Sequence, residues 1–240
     1  MCKRFVIDNN ISSSQLIISG EEHNHLANVL RLKSGEKIIV TCGDAYDYYC
    51  VIDSIGKKET QCTVVDKVVN THNPRGKIDV WQALIKNDKM SLLTQKLNEI
   101  GVRNLLLFES KFQTVKASEN KQDKLQKISI QSTKQCKRSI PLNVGKIYKF
   151  NEMLDVLKNY DYIIFANETE ETKKISEIIN DIDLTKSIAI IIGSEGGFDQ
   201  AEITAIEEIG AISVSLGSRI LRAETASIAL ASFVSFAIGN

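Results

Sequence analysis

Hydrophobic and polar positions follow two regimes along the 240-residue chain. Over the first 70 residues the apolar runs are short and rich in β-branched and aromatic side chains. Residues 2–8, 15–18, 37–41, 47–52 and 61–69 therefore predict strands. Turn signals such as Cys42-Gly43-Asp44 and Ser54-Ile55-Gly56 separate them. One helix, residues 21–30, interrupts the series and closes at Lys33-Ser34-Gly35. A small β-barrel with one helix fits this pattern. The polar stretch Thr71-His72-Asn73-Pro74-Arg75-Gly76 then breaks the rhythm, which predicts domains at 1–72 and 73–240.

Beyond that stretch, strands alternate with helices. Residues 78–85, 102–108, 162–166, 187–192 and 211–216 predict strands. Ile188–Ile192 is apolar without alternation, as in a parallel sheet covered on both faces. Met90, Leu93, Leu97 and Ile100 recur at helical spacing, with Asp88 as a candidate cap and Gly101 as a stop. A long helix follows from about Ser118. Its projection sets Leu125, Ile128 and Cys136 on one side and Lys124, Lys127, Lys134, Lys137 and Arg138 on the other. Residues 200–209 predict another helix. The last helix, 223–238, is apolar nearly all round, so it needs cover on several sides, one of which a partner subunit can supply.

Composition narrows the function classes. The apolar fraction of 43% and charged fraction of 25% are ordinary for a soluble globular chain. The charge-free stretch 225–240 is shorter than the roughly 18 apolar residues of a membrane span. The N-terminal residues lack a signal-peptide core. Five cysteines, none in a Cys-x-x-Cys pair, argue against a disulfide framework or a zinc site and predict a reducing cytoplasm. The net charge of zero hides an asymmetry. Residues 73–150 carry 16 basic and 6 acidic residues, whereas residues 151–240 carry 6 and 15. The basic excess is either a solvated lysine-rich surface or a phosphate-binding face for nucleic acid.

Two segments carry candidate chemistry, each placed directly after a predicted strand. The first is Gly193-Ser194-Glu195-Gly196-Gly197-Phe198. Three glycines in five residues require a sharp turn or a close approach, and the ends of such strands are where open α/β sheets bind ligands. The spacing fits neither a dinucleotide fingerprint nor a phosphate loop, which disfavours an oxidoreductase and an NTPase. Exposed main-chain groups there suit an uncharged heterocycle such as adenine; a tight structural turn is the plainer reading. The second segment, Leu216 to Ala226, sets Arg219, Arg222 and Glu224 among small residues, which is also how a surface salt bridge at a helix start reads. The three histidines, His23, His25 and His72, lie outside the α/β half, so histidine base catalysis is not expected there.

Together the two segments resemble the signature of the ribosomal RNA small subunit methyltransferase E family, the 16S rRNA uridine-N3 methyltransferases of the SPOUT class. The family's Gly-Pro-Glu-Gly-Gly-Phe loop appears at 193–198, with Ser194 in place of proline. Its Leu-Gly-x-Arg-Ile-Leu-Arg-x-Glu-Thr-Ala stretch is matched from Leu216 to Ala226. His25 with Val29-Leu30-Arg31, Trp81-Gln82-Ala83-Leu84 with Lys86, and Gln135-Cys136-Lys137-Arg138 with Pro141 extend the similarity over the chain. A family arginine near Glu109-Ser110-Lys111 is replaced, with Lys111 as the candidate substitute.

The resemblance implies an N-terminal PUA-like β-barrel and a C-terminal SPOUT α/β domain with a deep trefoil knot, acting as a homodimer in the cytoplasm. It implies S-adenosylmethionine as cofactor, held by Gly193, Gly196, Gly197, Leu216, Gly217, Ile220, Leu221 and Thr225, with no metal and no membrane. The substrate would be 16S rRNA, in the small ribosomal subunit. Arg222 is the candidate cation for the uracil carbonyls and Glu224 the candidate proton acceptor or arginine-orienting carboxylate. Arg31, Lys124, Lys127, Lys134, Lys137 and Arg138 would contact RNA. Alternatives are a SPOUT enzyme acting on another RNA and a non-catalytic RNA-binding or ribosome-assembly factor.

Overall fold

The computed structural model describes residues 2–8, 11, 14–118 and 120–239. By contact the chain forms two units, Met1–Asn73 with Thr133–Pro141, and Pro74–Ser132 with Leu142–Asn240. The segment Thr133–Pro141, placed by sequence pattern in the α/β half, groups with the first unit. Asn70 Nδ2 donates to Lys137 O at 2.9 Å and Ser139 N donates to Asn73 Oδ1 at 3.0 Å.

In the first unit, β1 (Lys3–Val6), β2 (Gln15–Ser19), β3 (Lys37–Thr41), β4 (Tyr46–Ile55) and β5 (Glu59–Val69) form one sheet in the order β1-β3-β4-β5-β2. Alternation sets the inner face: in β2, Leu16 and Ile18 are buried while Gln15, Ile17 and Ser19 point out. Phe5, Ile18, Leu26, Val40, Cys50, Ile52 and Cys62 share the core. The expected helix at 21–30 begins as α1 (Gly20–Asn24) and widens into a π turn, His25–Val29, with Leu30 N donating to His25 O at 2.9 Å. Arg31 ends it in the left-handed region, φ 53°, an unusual position for a residue with a Cβ. His23 is buried against Thr60 Oγ1 at 2.8 Å and His25 packs on Phe5.

The second unit carries a six-stranded, wholly parallel sheet in the order β11-β9-β10-β6-β7-β8. Its elements run β6 (Lys77–Ala83), α2 (Asn87–Ile100), β7 (Asn104–Phe108), α3 (Lys121–Cys136), β8 (Asn143–Tyr148), α4 (Phe150–Leu157), β9 (Tyr162–Ala166), α5 (Ile175–Ile178), β10 (Ser187–Ile192), α6 (Gln200–Glu208), β11 (Ile212–Val214) and α7 (Ala223–Ile238). Of these, β8, α4 and α5 are additions to the sequence expectation. Ile188, Ile190 and Ile192 of β10 enter one hydrophobic core and Ala189 and Ile191 the other, so the unbroken apolar run is covered on both sides. Asp88 does not cap α2. The helix starts two residues earlier than that cap implies, Lys86 holds the cap position, and Asp88 sits in the first turn, where its charge favours the helix dipole.

The chain passes from β6 outward through β7 to β8, then crosses to β9 and inserts β10 between β9 and β6. That reversal creates a crevice at the carboxyl ends of the strands, the usual ligand position in such sheets. Among the described residues, no helix is long and apolar enough to cross a membrane.

Candidate functional site

Three loops leave the carboxyl ends of β9, β10 and β11 and wall a cavity of about 560 Å³. They are Asn167-Glu168-Thr169, Gly193–Phe198, and Ser215–Arg222. The first was not singled out from sequence. The start of α2 adds Lys86 and Lys89.

The β10 loop is a closed turn. Gly197 N donates to Ser194 O at 3.0 Å, which closes the turn through the main chain. Gln82, fully buried in β6, fixes the loop's root by donating to Gly193 O at 3.0 Å and Ala83 O at 3.1 Å. Glu195 Oε1 accepts from Lys86 N at 3.1 Å. That carboxylate caps α2 from more than a hundred residues away, as a first-turn glutamate does in a capping box.

The glycines divide the work. Gly197 has φ +71°, and a Cβ there would sit 3.1 Å from Glu168 Oε1. Its lack of a side chain keeps the wall thin where main-chain groups face the cavity. Gly196 does not line the cavity. It backs onto Phe112, whose Cβ would lie 2.8 Å from an added Cβ. Gly196 was expected to contact the cofactor; here it packs against Phe112.

Of the other expected cofactor residues, Gly193, Leu216, Gly217, Ile220 and Leu221 line the cavity, and Thr225 does not, because α7 turns it outward. Leu216 and Leu221 are half-buried and supply apolar wall; Ile220 is 86% exposed. Arg222 occupies the cap position of α7 and, like Glu224, lines the cavity. Glu224 is buried and ion-paired to Lys89 at 3.2 Å. The sequence missed that partner, which lies on another helix. Lys121 of α3 is buried with Nζ 3.4 Å from Ile85 O; burial lowers its pKa, and the Glu195 charge acts against that shift.

The basic segment presents fewer cations than its helical projection suggests. Lys124 and Lys127 are exposed on α3. Lys134 is ion-paired with Glu22. The helix ends at Cys136, so Lys137 and Arg138 lie beyond it. Arg138 is only 2% exposed, and burial pushes its pKa down to about 10. Its place on an open cationic face is corrected accordingly. Lys137 and Arg31 are exposed.

An open-mouthed cleft of this volume is within the range of small-molecule sites. Its wall combines bare main chain, two leucines and both signs of charge, which suits a ligand with a flat heterocycle and a zwitterionic tail.

Comparison with known proteins agrees with this geometry. Residues 71–235 match the family described as the RNA methyltransferase domain, and residues 18–65 match the RNA methyltransferase PUA domain. The ribosomal RNA small subunit methyltransferase E of Bacillus subtilis is 28% identical over 91% of this chain and 89% of its own. The protein of the same name from Buchnera aphidicola of Acyrthosiphon pisum is 32% identical over 94% and 89%. Among solved structures, a ribosomal RNA small subunit methyltransferase E from Neisseria gonorrhoeae bound to S-adenosyl methionine has a TM-score of 0.87 at 25% identity, covering 98% of each chain. A methyltransferase from Legionella pneumophila with bound SAM has a TM-score of 0.89 at 25% identity, covering 99% of this chain and 98% of that one.

Proposed function

We propose that this chain, which belongs to the ribosomal RNA small subunit methyltransferase E family, transfers the methyl group of S-adenosylmethionine to N3 of a uridine in 16S rRNA. The observation that carries the reading is the cavity of about 560 Å³ between the two glycine-bearing loops, at the crevice where the sheet order reverses. The residues present fit the donor. Gly193 and Gly197 leave main-chain groups bare for the adenine edge, while Leu216 and Leu221 give its face an apolar seat. Glu168, Lys89 and Arg222 are charged groups within reach of a zwitterionic tail. When bound, S-adenosylmethionine supplies a methyl group already activated on a sulfonium.

The chain's own residues must then prepare the base. N3 of uracil is a weak acid on the pairing edge, so the nucleotide has to be unpaired and splayed out. Arg222, open at the cavity mouth, stabilises the negative charge that spreads onto the uracil carbonyls as the proton leaves. Glu224 is the acceptor for that proton, and Lys89 holds its carboxylate in place.

The first unit acts as the PUA-like RNA-binding domain and the second as the SPOUT catalytic domain. Lys124 and Lys127, with Lys137 and Arg31, meet RNA phosphates. Support for a knotted arrangement comes from the segment after β9. It runs alongside the β11 loop, with Ser215 N donating to Lys173 O at 2.8 Å. The protein pairs as a homodimer through the outward face of α7, where Phe233 and Phe236 are exposed. It works in the cytoplasm on the small ribosomal subunit.

Calorimetric titration with S-adenosylmethionine tests the cavity assignment. Wild-type protein binds. Gly197→Val, which forces a branched side chain into a left-handed turn against Glu168, loses binding while keeping its far-ultraviolet spectrum. Absence of binding to the wild type at millimolar donor contradicts the reading.

A further inference from the structure

The irregular segment after β7, residues 109–118, holds an aromatic side chain that the reaction described above does not use. Phe112 is 45% exposed. Its backbone is nevertheless fixed on both sides. Ser110 N donates to Gln113 Oε1 at 3.0 Å, and Lys111 N donates to Glu202 Oε1 at 2.8 Å. The second oxygen of the buried Glu202 accepts from Asp199 N at 3.0 Å. One carboxylate thus clamps the Phe112 segment to the far end of the β10 loop. Gly196 completes the seat, because any Cβ there would strike Phe112 Cβ. Phe112 therefore leans on one face of a loop whose other members, Gly193, Ser194, Glu195 and Gly197, line the cavity.

The segment carries two lysines. Lys111 Nζ lies 5.9 Å from the ring centre and is held by Asp199 Oδ2, and Lys116 is exposed on the same segment. A solvent-facing ring on an anchored backbone is the arrangement that stacks an unpaired base, with Lys116 left to meet a phosphate.

We propose that Phe112 is a stacking platform for an unpaired base of the RNA substrate, positioning the strand beside the methyl-donor loop. This rests on the reading of the cavity as the donor site of an RNA methyltransferase. The ring is planar and open on a segment with a net charge of +1, which favours a nucleobase over an apolar peptide.

The test compares full-length wild type, Phe112→Leu and Phe112→Trp on unmodified small-subunit rRNA with saturating S-adenosylmethionine. Leucine fills the seat on Gly196 but cannot stack. Phe112→Leu lowers kcat/KM for RNA by about 5- to 100-fold, the range of one base–aromatic contact, and leaves donor affinity as in wild type. Phe112→Trp restores kcat/KM, and its fluorescence is quenched on adding oligouridylate. The one native tryptophan, Trp81, is fully buried, so it gives a constant background. The proposal is overturned if Phe112→Leu uses RNA as well as wild type does. It is also overturned if the variant loses donor affinity in parallel or changes its oligomeric state. If the wild type itself neither binds the donor nor methylates rRNA, the functional reading fails, and this proposal with it.

Discussion

At the residue scale, the glycine-rich loop shows how one sequence motif divides into separate physical tasks. Gly197 turns the chain and thins the cavity wall, whereas Gly196 makes room for a neighbouring ring. Nothing in their spacing distinguishes them, since the difference lies in what each faces across the fold. Glu224 is a similar case. Its sequence neighbours suggest an arginine partner, yet the carboxylate meets Lys89 of α2. In the proposed reaction Arg222 is the cation that acts on the base. Arg222→Ala should slow single-turnover methylation by about 100-fold, the effect of removing one preorganised charge-stabilising donor. Rapid-quench measurement with donor and RNA saturating reads this directly, and an unchanged rate removes Arg222 from the chemistry.

At the element scale, legibility followed how completely an element's own side chains dictate its environment. The β9 and β10 strands and α7 run over the residues that their apolar patterns predict, the strands being buried over most of their length and α7 at half of its residues. The edge strand β8 was not legible. Asn143-Val144-Gly145-Lys146-Ile147-Tyr148 is a weak strand former, and its pairing with β7 includes a register irregularity. The short helix α4 carries Met153 and Leu157 inward, but eight residues give the periodicity little room to show.

The sheet also depends on a polar brace whose members are scattered in sequence. Buried Asp79 accepts from Arg103 Nε at 2.9 Å and Nη2 at 2.6 Å, from Asn104 Nδ2 at 2.8 Å and from Tyr160 OH at 2.7 Å. Burial, followed by the neighbouring Asp79 charge, raises the Tyr160 pKa and keeps the phenol protonated. Asp79→Asn removes the charge but not the volume, and the half-exposed Arg103 can turn to water. The expected loss of stability is about 2–3 kcal/mol, from the weakened charge-assisted bonds. Urea unfolding measures it, with donor affinity of the folded variant unchanged because the brace lies at the opposite end of β6 from the cavity. An unaltered midpoint denies the brace its role.

At the scale of the whole molecule, charge tallied along the chain overstates charge on the surface. Residues 73–150 carry a net excess of ten basic residues, yet within them Arg138 is buried and Lys134 is committed to Glu22. Which cations reach solvent is decided by tertiary contacts that no local pattern encodes. The grouping of Thr133–Pro141 with the N-terminal unit was hidden for the same reason, as it rests on bonds from Asn70 and Asn73 some 66 residues away in sequence. The cavity was more legible than the solvent-facing cations, because its loops are compact motifs at strand ends. The measurement that tests the whole account is nucleoside mass spectrometry of small-subunit rRNA from cells lacking this protein, with and without complementation. Loss of 3-methyluridine, restored by wild type and not by Gly197→Val, is the predicted result; an undiminished 3-methyluridine signal in the deletion contradicts it.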